Sequence, residues 1–203
     1  FFALKNKEVV LVGDPYLMHR PINQLVCYLN RLGANIHKEG NKIYILPGNL
    51  KGGELFIKNV ETSQFVSSML LVAPYLEGGL SIFNSDNILS EAYVDMTISI
   101  MRSCGVNVIK KDNSIVVRQS AYNKVFDFIE SDWTSVSYLF LSFLFSDLKT
   151  IQISRFFKNS IQSDQSVIAL FRVLGIDCQF CDQSIVLIKI KNYTFPNMIR
   201  WNF

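Results

Sequence analysis

Three copies of one short pattern constrain this chain more than any other feature. Arg31-Leu32-Gly33-Ala34-Asn35-Ile36 returns as Ser103-Cys104-Gly105-Val106-Asn107-Val108 and again as Val173-Leu174-Gly175-Ile176-Asp177-Cys178, the glycines standing 72 and then 70 positions apart. Each glycine closes an amphipathic stretch, at the place where a residue of positive φ is wanted to end a helix. The spacing predicts helices over 21–32, 92–104 and 161–174. After each come a short strand, a polar turn and a second strand. The turns are Glu39-Gly40-Asn41, Lys111-Asp112-Asn113 and Cys181-Asp182-Gln183, and the second strands are 43–45, 114–117 and 184–187.

A second element keeps the same step. Thr62-Ser63 opens an apolar helix reaching 75, and Thr134-Ser135 opens one through Phe145, again 72 apart. Strands are expected before these helices, at 54–58 and 125–130, and after them, at 80–83 and 150–154. The repeating unit is therefore βαβαββ, about 70 residues long, too long for a small solenoid repeat and suited to α/β lobes. The polar, turn-rich stretch 118–124 is the expected boundary. It gives 1–122 to most of one lobe, part of one unit plus a further unit, and 123–203 to the first unit of a second lobe. Phe1-Phe2-Ala3-Leu4-Lys5 reads as the tail of an apolar helix, and Arg200-Trp201-Asn202-Phe203 as a strand in progress. The chain is expected to be a piece of a longer protein, incomplete at both ends.

Composition narrows the function classes. Hydrophobic residues at 49% against 18% charged support a folded core and exclude a disordered chain. Lys+Arg number 20 against 17 Asp+Glu, with no basic run and no aromatic-rich RNA motif, so no nucleic acid partner is expected. The greasiest run, 136–145, is too short to span a bilayer, and no membrane association is expected. Cys27 and Cys104 sit on apolar helix faces and read as core fillers. Cys178 and Cys181 have C-x-x-C spacing, but zinc needs two more ligands, and in a strand the pair faces opposite sides. No metal and no cofactor are expected. Nothing reads as a secretion signal, and the expectation is a reduced, cytoplasmic protein.

The residues with chemistry in them gather at helix starts. Thr62 or Ser63 can cap the helix that follows, while Phe65, Met69 and Val72 anchor it in a core. Its first turn then offers free N–H donors, the positive end of a dipole, two hydroxyls and the Gln64 amide, a set suited to a phosphate or carboxylate. Taken alone, a capped core helix that binds nothing is the plainer reading. The repeat changes the balance, because units packed about a common axis let their helix starts converge. The candidate starts are Arg20-Pro21, Thr62-Ser63-Gln64, Ser90 to Tyr93 and Thr134-Ser135. Pro21 suits the first helical position, which places the Arg20 guanidinium just ahead of a helix to clamp an anion at two points.

Several segments resemble, in order, the 5-enolpyruvylshikimate-3-phosphate synthase family. Leu11-Val12-Gly13-Asp14-Pro15 followed by His19-Arg20-Pro21-Ile22 looks like its G-D/E-x…R-P-I/M segment. Thr62-Ser63-Gln64-Phe65 looks like S-S-Q-F/Y, and Ser90-Glu91-Ala92-Tyr93-Val94-Asp95-Met96-Thr97 like S-x-P-Y-I/V-x-M/L-T. Glu130-Ser131-Asp132-Trp133-Thr134-Ser135-Val136-Ser137-Tyr138 and Lys158-Asn159-Ser160-Ile161-Gln162-Ser163-Asp164 look like E-x-D-x-S-x-A-S-Y and N-S-x-Q-G-D. The last two are similar to the forms of the Bacteroidetes-type branch.

The resemblance implies the two-lobed enolpyruvyl transferase fold, inside-out α/β barrel lobes of βαβαββ units with the active site between them. It implies transfer of the enolpyruvyl group of phosphoenolpyruvate to the 5-hydroxyl of shikimate 3-phosphate, with release of phosphate, by a cytoplasmic monomer without cofactors. Carried over residue by residue, it gives Thr62, Ser63 and Ser90 the phosphate of shikimate 3-phosphate and Tyr93 the wall of the shikimate pocket. Gln64 falls between the two substrates and Arg20 on phosphoenolpyruvate. Thr62 stands where the family usually has Ser, Ala92 where it has Pro, and Ser163 where it has Gly; none of these removes a ligand group. The family's Lys-Ser…Arg and N-A-G-T-x-x-R segments are expected before Phe1. Its P-D-x-A/M segment, with the catalytic Asp, is expected beyond Phe203, Pro196-Asn197-Met198 being at best a degraded copy. No catalytic residue is therefore assigned within the chain, which alone is expected to be inactive.

Two other readings stand beside this one. A UDP-N-acetylglucosamine enolpyruvyltransferase shares the repeats and phosphoenolpyruvate, but Thr62-Ser63-Gln64 with Ser90 to Tyr93 look made for a shikimate phosphate. A non-catalytic repeat lobe that only binds a partner is the alternative from another class.

Overall fold

All three repeat glycines lie at positive φ, 95° at Gly33, 87° at Gly105 and 85° at Gly175. In the computed structural model, which describes residues 1–86, 88, 90–124 and 129–200, each closes a helix as the sequence predicts. The helices are α2 (Asn23–Arg31), α4 (Glu91–Ser103) and α6 (Val167–Val173). At the first two, paired bonds from Gly33 N–H to Asn30 C=O and Ala34 N–H to Leu29 C=O, and from Gly105 to Arg102 and Val106 to Met101, satisfy carbonyls the helix end would otherwise strand. A second marker recurs three residues before each glycine. Asn30 donates to the Ile36 carbonyl, Arg102 to that of Val108, and Arg172 to that of Cys178. One side chain thus clamps each helix end to the strand that follows it.

The chain divides into two compact units, Phe1–Val125 and Phe126–Phe203. The first holds β1 (Val9–Val12), α1 (Pro15–Met18), α2, β2 (Asn35–Glu39) and β3 (Lys42–Leu46), and then β4 (Gly53–Ile57), α3 (Ser63–Val72), β5 (Leu80–Asn84), α4, β6 (Val108–Lys111) and β7 (Ser114–Val117). Its sheets run β1-β3-β2 and β4-β5-β7-β6, with β4 and β5 parallel and the other pairs antiparallel. The elements from β4 to β7 make one whole βαβαββ unit. The parallel pair needs α3 as its crossover, whereas β6 and β7 need only a tight turn. The second division holds α5 (Trp133–Phe145), β8 (Thr150–Ser154), α6, β9 (Ile176–Cys181) and β10 (Ser184–Lys189), with sheet order β8-β10-β9.

Register repeats as faithfully as order. Ile45 lies opposite both Val9 and Ile36, Val117 opposite Leu80 and Val108, and Leu187 opposite Ile151 and Cys178. The alternation of strands puts each middle residue into a core. In the first division Tyr28 of α2 and its cap residue Leu32 join a cluster with Val66, Leu70, Val94 and Met101. In the second the core is aromatic: Trp133, fully buried, meets Phe156 edge-on at 4.7 Å between ring centres. Its indole N–H is the one buried side-chain polar atom without an acceptor among the described residues.

Several sequence expectations need correction. Pro21 is not at a first helical position: α2 begins at Asn23 behind Ile22, and the proline that opens a helix is Pro15 of α1, behind the Asp14 cap. The third repeat helix begins at Val167, after a 3-10 turn over Ser163–Ser166, rather than at Ile161. Helix α5 begins at Trp133 with Asp132 as its cap, so Thr134 and Ser135 lie inside its first turn. Phe2–Lys5 form a 3-10 turn. Cys27 is exposed and Cys104 half-buried; the core cysteine is Cys178, with Cys181 on the other face, and all four are free. The expected strand at 125–130 falls mostly outside the described residues, as do Trp201, Asn202 and Phe203. No helix among the described residues is long and apolar enough to cross a membrane.

Candidate functional site

The parallel pairing of β4 and β5 decides where the first candidate residues go. Helix α3 leaves the C-terminal end of β4 and α4 leaves the C-terminal end of β5, so both helices start at one edge of the sheet. They run side by side, with the Thr97 hydroxyl donating to Ser67 Oγ across 2.9 Å. Thr62, Ser63 and Gln64 open α3; Ser90 and Tyr93 open α4.

The α3 start is neutral. Thr62 Oγ1 accepts from the Gln64 N–H at a long 3.3 Å. Ser63 is only 6% exposed. Gln64 is exposed. No acidic residue lies in this first turn, although Glu61 stands just before the Thr62 cap. At α4, Ser90 takes the left-handed conformation, φ 55°, with its hydroxyl bonded to no first-turn amide. A serine there is uncommon and costs of the order of 1 kcal/mol or more, which the surrounding structure has to hold. Glu91 and Asp95 would set negative charge beside this start, but Lys110 pairs with both, at 2.7 and 2.5 Å. Partial burial pulls the Lys110 ammonium down, and the bonds to Asp95 and Glu91 outweigh it, so its pKa lies above the ordinary lysine value.

Arg20 lies in the short segment between α1 and α2. Its backbone N–H is tied to the Leu17 carbonyl, while its exposed guanidinium makes no ion pair with a described carboxylate. Four residues on, the Gln24 side chain joins this segment to the α3 start: Nε2 donates to the Asn59 carbonyl and Oε1 accepts from the Glu61 N–H, both at 2.9 Å. Asn59, at φ 47°, turns its own N–H to Asp86 Oδ2 at 3.2 Å, in the loop that leads towards α4. The starts of α2 and α3 and the segment after β5 are thus stitched through Gln24, Asn59, Glu61 and Asp86. Sequence reading missed all four; a lone Gln and three loop residues carry no pattern of their own.

The fourth candidate start, at α5, belongs to the other division and is already filled. Asp132 accepts from the Thr134 and Ser135 N–H groups at 3.0 and 3.1 Å and from the Ser135 hydroxyl. The Ser135 hydroxyl and then those two amides hold its carboxyl below the usual carboxylate range. Thr134 Oγ1 donates to Asp164, and the Trp133 N–H to Gln162 Oε1, whose amide nitrogen reaches Glu130 and the Ser131 carbonyl. A small polar hollow of about 30 Å³ near α4, lined by Asn84, Asp86, Glu91 and Lys110 among others, contains none of the predicted ligand residues. Among the described residues no cluster of His, Cys, Asp and Glu could hold a metal ion.

Comparison with known proteins agrees with this architecture. The family model of EPSP synthase (3-phosphoshikimate 1-carboxyvinyltransferase) matches residues 1–199. The 3-phosphoshikimate 1-carboxyvinyltransferase of Buchnera aphidicola subsp. Cinara cedri is 31% identical over 201 residues, covering 93% of this chain and 45% of the relative. That of Bacteroides fragilis is 29% identical over 184 residues, covering 88% and 45%. Among solved structures, EPSP synthase from Acinetobacter baumannii matches 94% of this chain and 46% of its own with a TM-score of 0.64 at 19% identity. The enolpyruvyl transferase NikO from Streptomyces tendae matches 93% and 45% with 0.60 at 13% identity. Both have the enolpyruvyl transferase fold, and the chain spans about half the length of the relatives it matches.

Proposed function

The chain belongs to the EPSP synthase family, and from that premise we propose that its parent protein transfers the enolpyruvyl group of phosphoenolpyruvate to the 5-hydroxyl of shikimate 3-phosphate, releasing phosphate. In this reading the edge of the β4–β5 sheet is the shikimate 3-phosphate half-site. The N–H groups of the α3 start, with the Thr62, Ser63 and Ser90 hydroxyls, take the phosphate. Tyr93, 40% exposed, forms the pocket wall. Arg20 holds phosphoenolpyruvate through its two-pronged guanidinium, and Gln64 lies between the two substrates. These residues bind and orient, turning an encounter of two polyanions into a reaction within one complex. The parent is a monomer of the cytoplasm, and Phe1–Val125 and Phe126–Phe203 belong to its two lobes.

One observation carries the reading: a helix start with no acidic residue in its first turn, a second start whose two carboxylates share Lys110, and an arginine that pairs with no described carboxylate are joined through Gln24, Asn59 and Asp86. The test is calorimetric titration of shikimate 3-phosphate into the full-length protein, followed by measurement of phosphate release on adding phosphoenolpyruvate. Saturable binding and turnover are expected, with no phosphate release by residues 1–203 alone. Binding of a UDP-sugar in place of shikimate 3-phosphate would reverse the choice of substrate, and binding of neither would leave only a repeat lobe.

A further inference from the structure

Gln24 is tied to nothing that its own helix needs. Its two amide bonds run to the Asn59 carbonyl and the Glu61 N–H, 35 and 37 residues away, and those groups flank the turn that leads into the Thr62 cap. Each bond uses a different end of the amide, so the side chain must donate and accept at once. A primary amide does that at any pH; a carboxylate can only accept. Asn59, at φ 47°, is held from its other side by Asp86 Oδ2. The loop is thus held by two side chains, Gln24 of α2 and Asp86 from the segment after β5.

We infer that Gln24 is a positioning residue: its amide clasps the loop 59–61, and so sets the α3 phosphate-binding start at a fixed offset from Arg20, four residues upstream of the clasp. The inference rests on the proposed reaction. Its consequence is that Gln24 touches neither substrate yet controls how well both are held together. Two anion subsites that must act on one reaction gain little from individual affinity if their spacing wanders by an ångström. The clasp spans the two elements carrying those subsites, and its bonds go to backbone groups, so the loop's side chains remain free to meet ligand.

The test is made in the full-length protein, with Gln24→Ala and Gln24→Glu. Hydrogen exchange of the 59–64 segment reads the clasp, and binding of shikimate 3-phosphate with phosphate-release kinetics reads its consequence. Gln24→Ala is expected to speed exchange at 59–64 and to lower kcat/KM about tenfold or more, with the core amides of β5 and β7 unchanged. Gln24→Glu gives the sharper readout. Near pH 7 its carboxylate faces the Asn59 carbonyl without a proton, at a loop that carries Glu61 and is bonded by Asp86, and should behave like the alanine variant. Those neighbours and the clasp itself favour the protonated acid, raising its pKa above the ordinary glutamate value of about 4.3. Protonated, it can again donate and accept. The ratio of variant to wild-type affinity for shikimate 3-phosphate should therefore climb towards one as the pH falls from 7 to about 5. If wild type binds shikimate 3-phosphate and the variants match it at every pH, Gln24 has no positioning role. A constant deficit in Gln24→Glu with no recovery in acid would also overturn the inference. If wild type itself does not bind, the functional reading fails first and this one with it.

Discussion

Helices α3 and α5 occupy the same place in successive copies of one unit, and they begin in opposite ways. At α3 a neutral hydroxyl reaches one amide at 3.3 Å, and no carboxylate stands in the first turn. At α5 a carboxylate takes two amides and a hydroxyl, and Gln162, Glu130 and Asp164 complete the shell. Both solutions satisfy a helix end, but only the first leaves room for an anion from outside. A self-satisfied start stabilises the fold, whereas an under-satisfied one keeps part of its interaction energy for a ligand. The difference lies in the cap residue, Thr62 against Asp132, more than in the fold around it.

The largest expected effect comes from exchanging that residue. In the full-length protein Thr62→Asp would give α3 the cap of α5. Stability should stay within about 0.5 kcal/mol or improve, since Asp is as good a cap as Thr. Affinity for shikimate 3-phosphate should fall roughly 100-fold or more, because like charges at one site cost several kcal/mol. Calorimetric titration beside a denaturant melt reads both; retained affinity would break the comparison at its root. Arg20→Ala comes next. A charge-assisted bond contributes about 1.5–3 kcal/mol, so KM for phosphoenolpyruvate should rise about 10- to 100-fold while shikimate 3-phosphate binding changes little. Equal loss of both would mean that Arg20 has been given the wrong substrate.

Smaller effects test the filled start. Asp132→Ala should cost about 1 kcal/mol of stability in denaturant melts and leave shikimate 3-phosphate affinity unaltered. The same carboxyl gives a pH signature. Its pKa is depressed in the folded protein, so its contribution is fully present above the unfolded value near 3.9 and is lost as pH falls through the lowered folded value. In an NMR titration the Thr134 and Ser135 amides should move together through that acid range. The Gln64 amide, capped by a hydroxyl, should show no matching step; if it does, the two starts are less different than their caps suggest.

How far the sequence could be read follows the range of the forces involved. The glycines at 33, 105 and 175 were legible because their conformation is a local matter, and the strand pairs followed from alternation. The α5 start was misplaced because the step of 72 between glycines was lent to a cap whose own step, from Thr62 to Asp132, is 70, and because a nearby carboxylate outcompetes a hydroxyl. The late start of α6 had a distant cause: Gln162 and Ser160 are drawn off to Glu130, and Gln165 to the carbonyls of Phe157 and Lys158. Pro21 was misread because Asp14-Pro15, a few residues earlier, makes the better helix opening. Of the site, the residue types at 20, 62, 63, 64, 90 and 93 could be picked out, but what holds their segments together could not. A clasp made by one amide on two remote backbone groups leaves no trace in residue type.

The repeat glycines do more than end helices. At each, the missing methylene leaves a slot filled by the strand of chain departing from that copy: Asn49 beside Gly33, Asn123 beside Gly105, and the Tyr193 ring where a Cβ on Gly175 would come within 2.5 Å of it. Hydrogen bonds from Asn49, Asn123 and Ile190 back to the Gly33, Cys104 and Gly175 carbonyls fasten the departure point. Every copy therefore fixes, from inside itself, the point at which the chain leaves its last strand. A stretch of gene duplicated at this corner inherits its own way out, so a new copy can close its last helix and release the chain without help from whatever comes after.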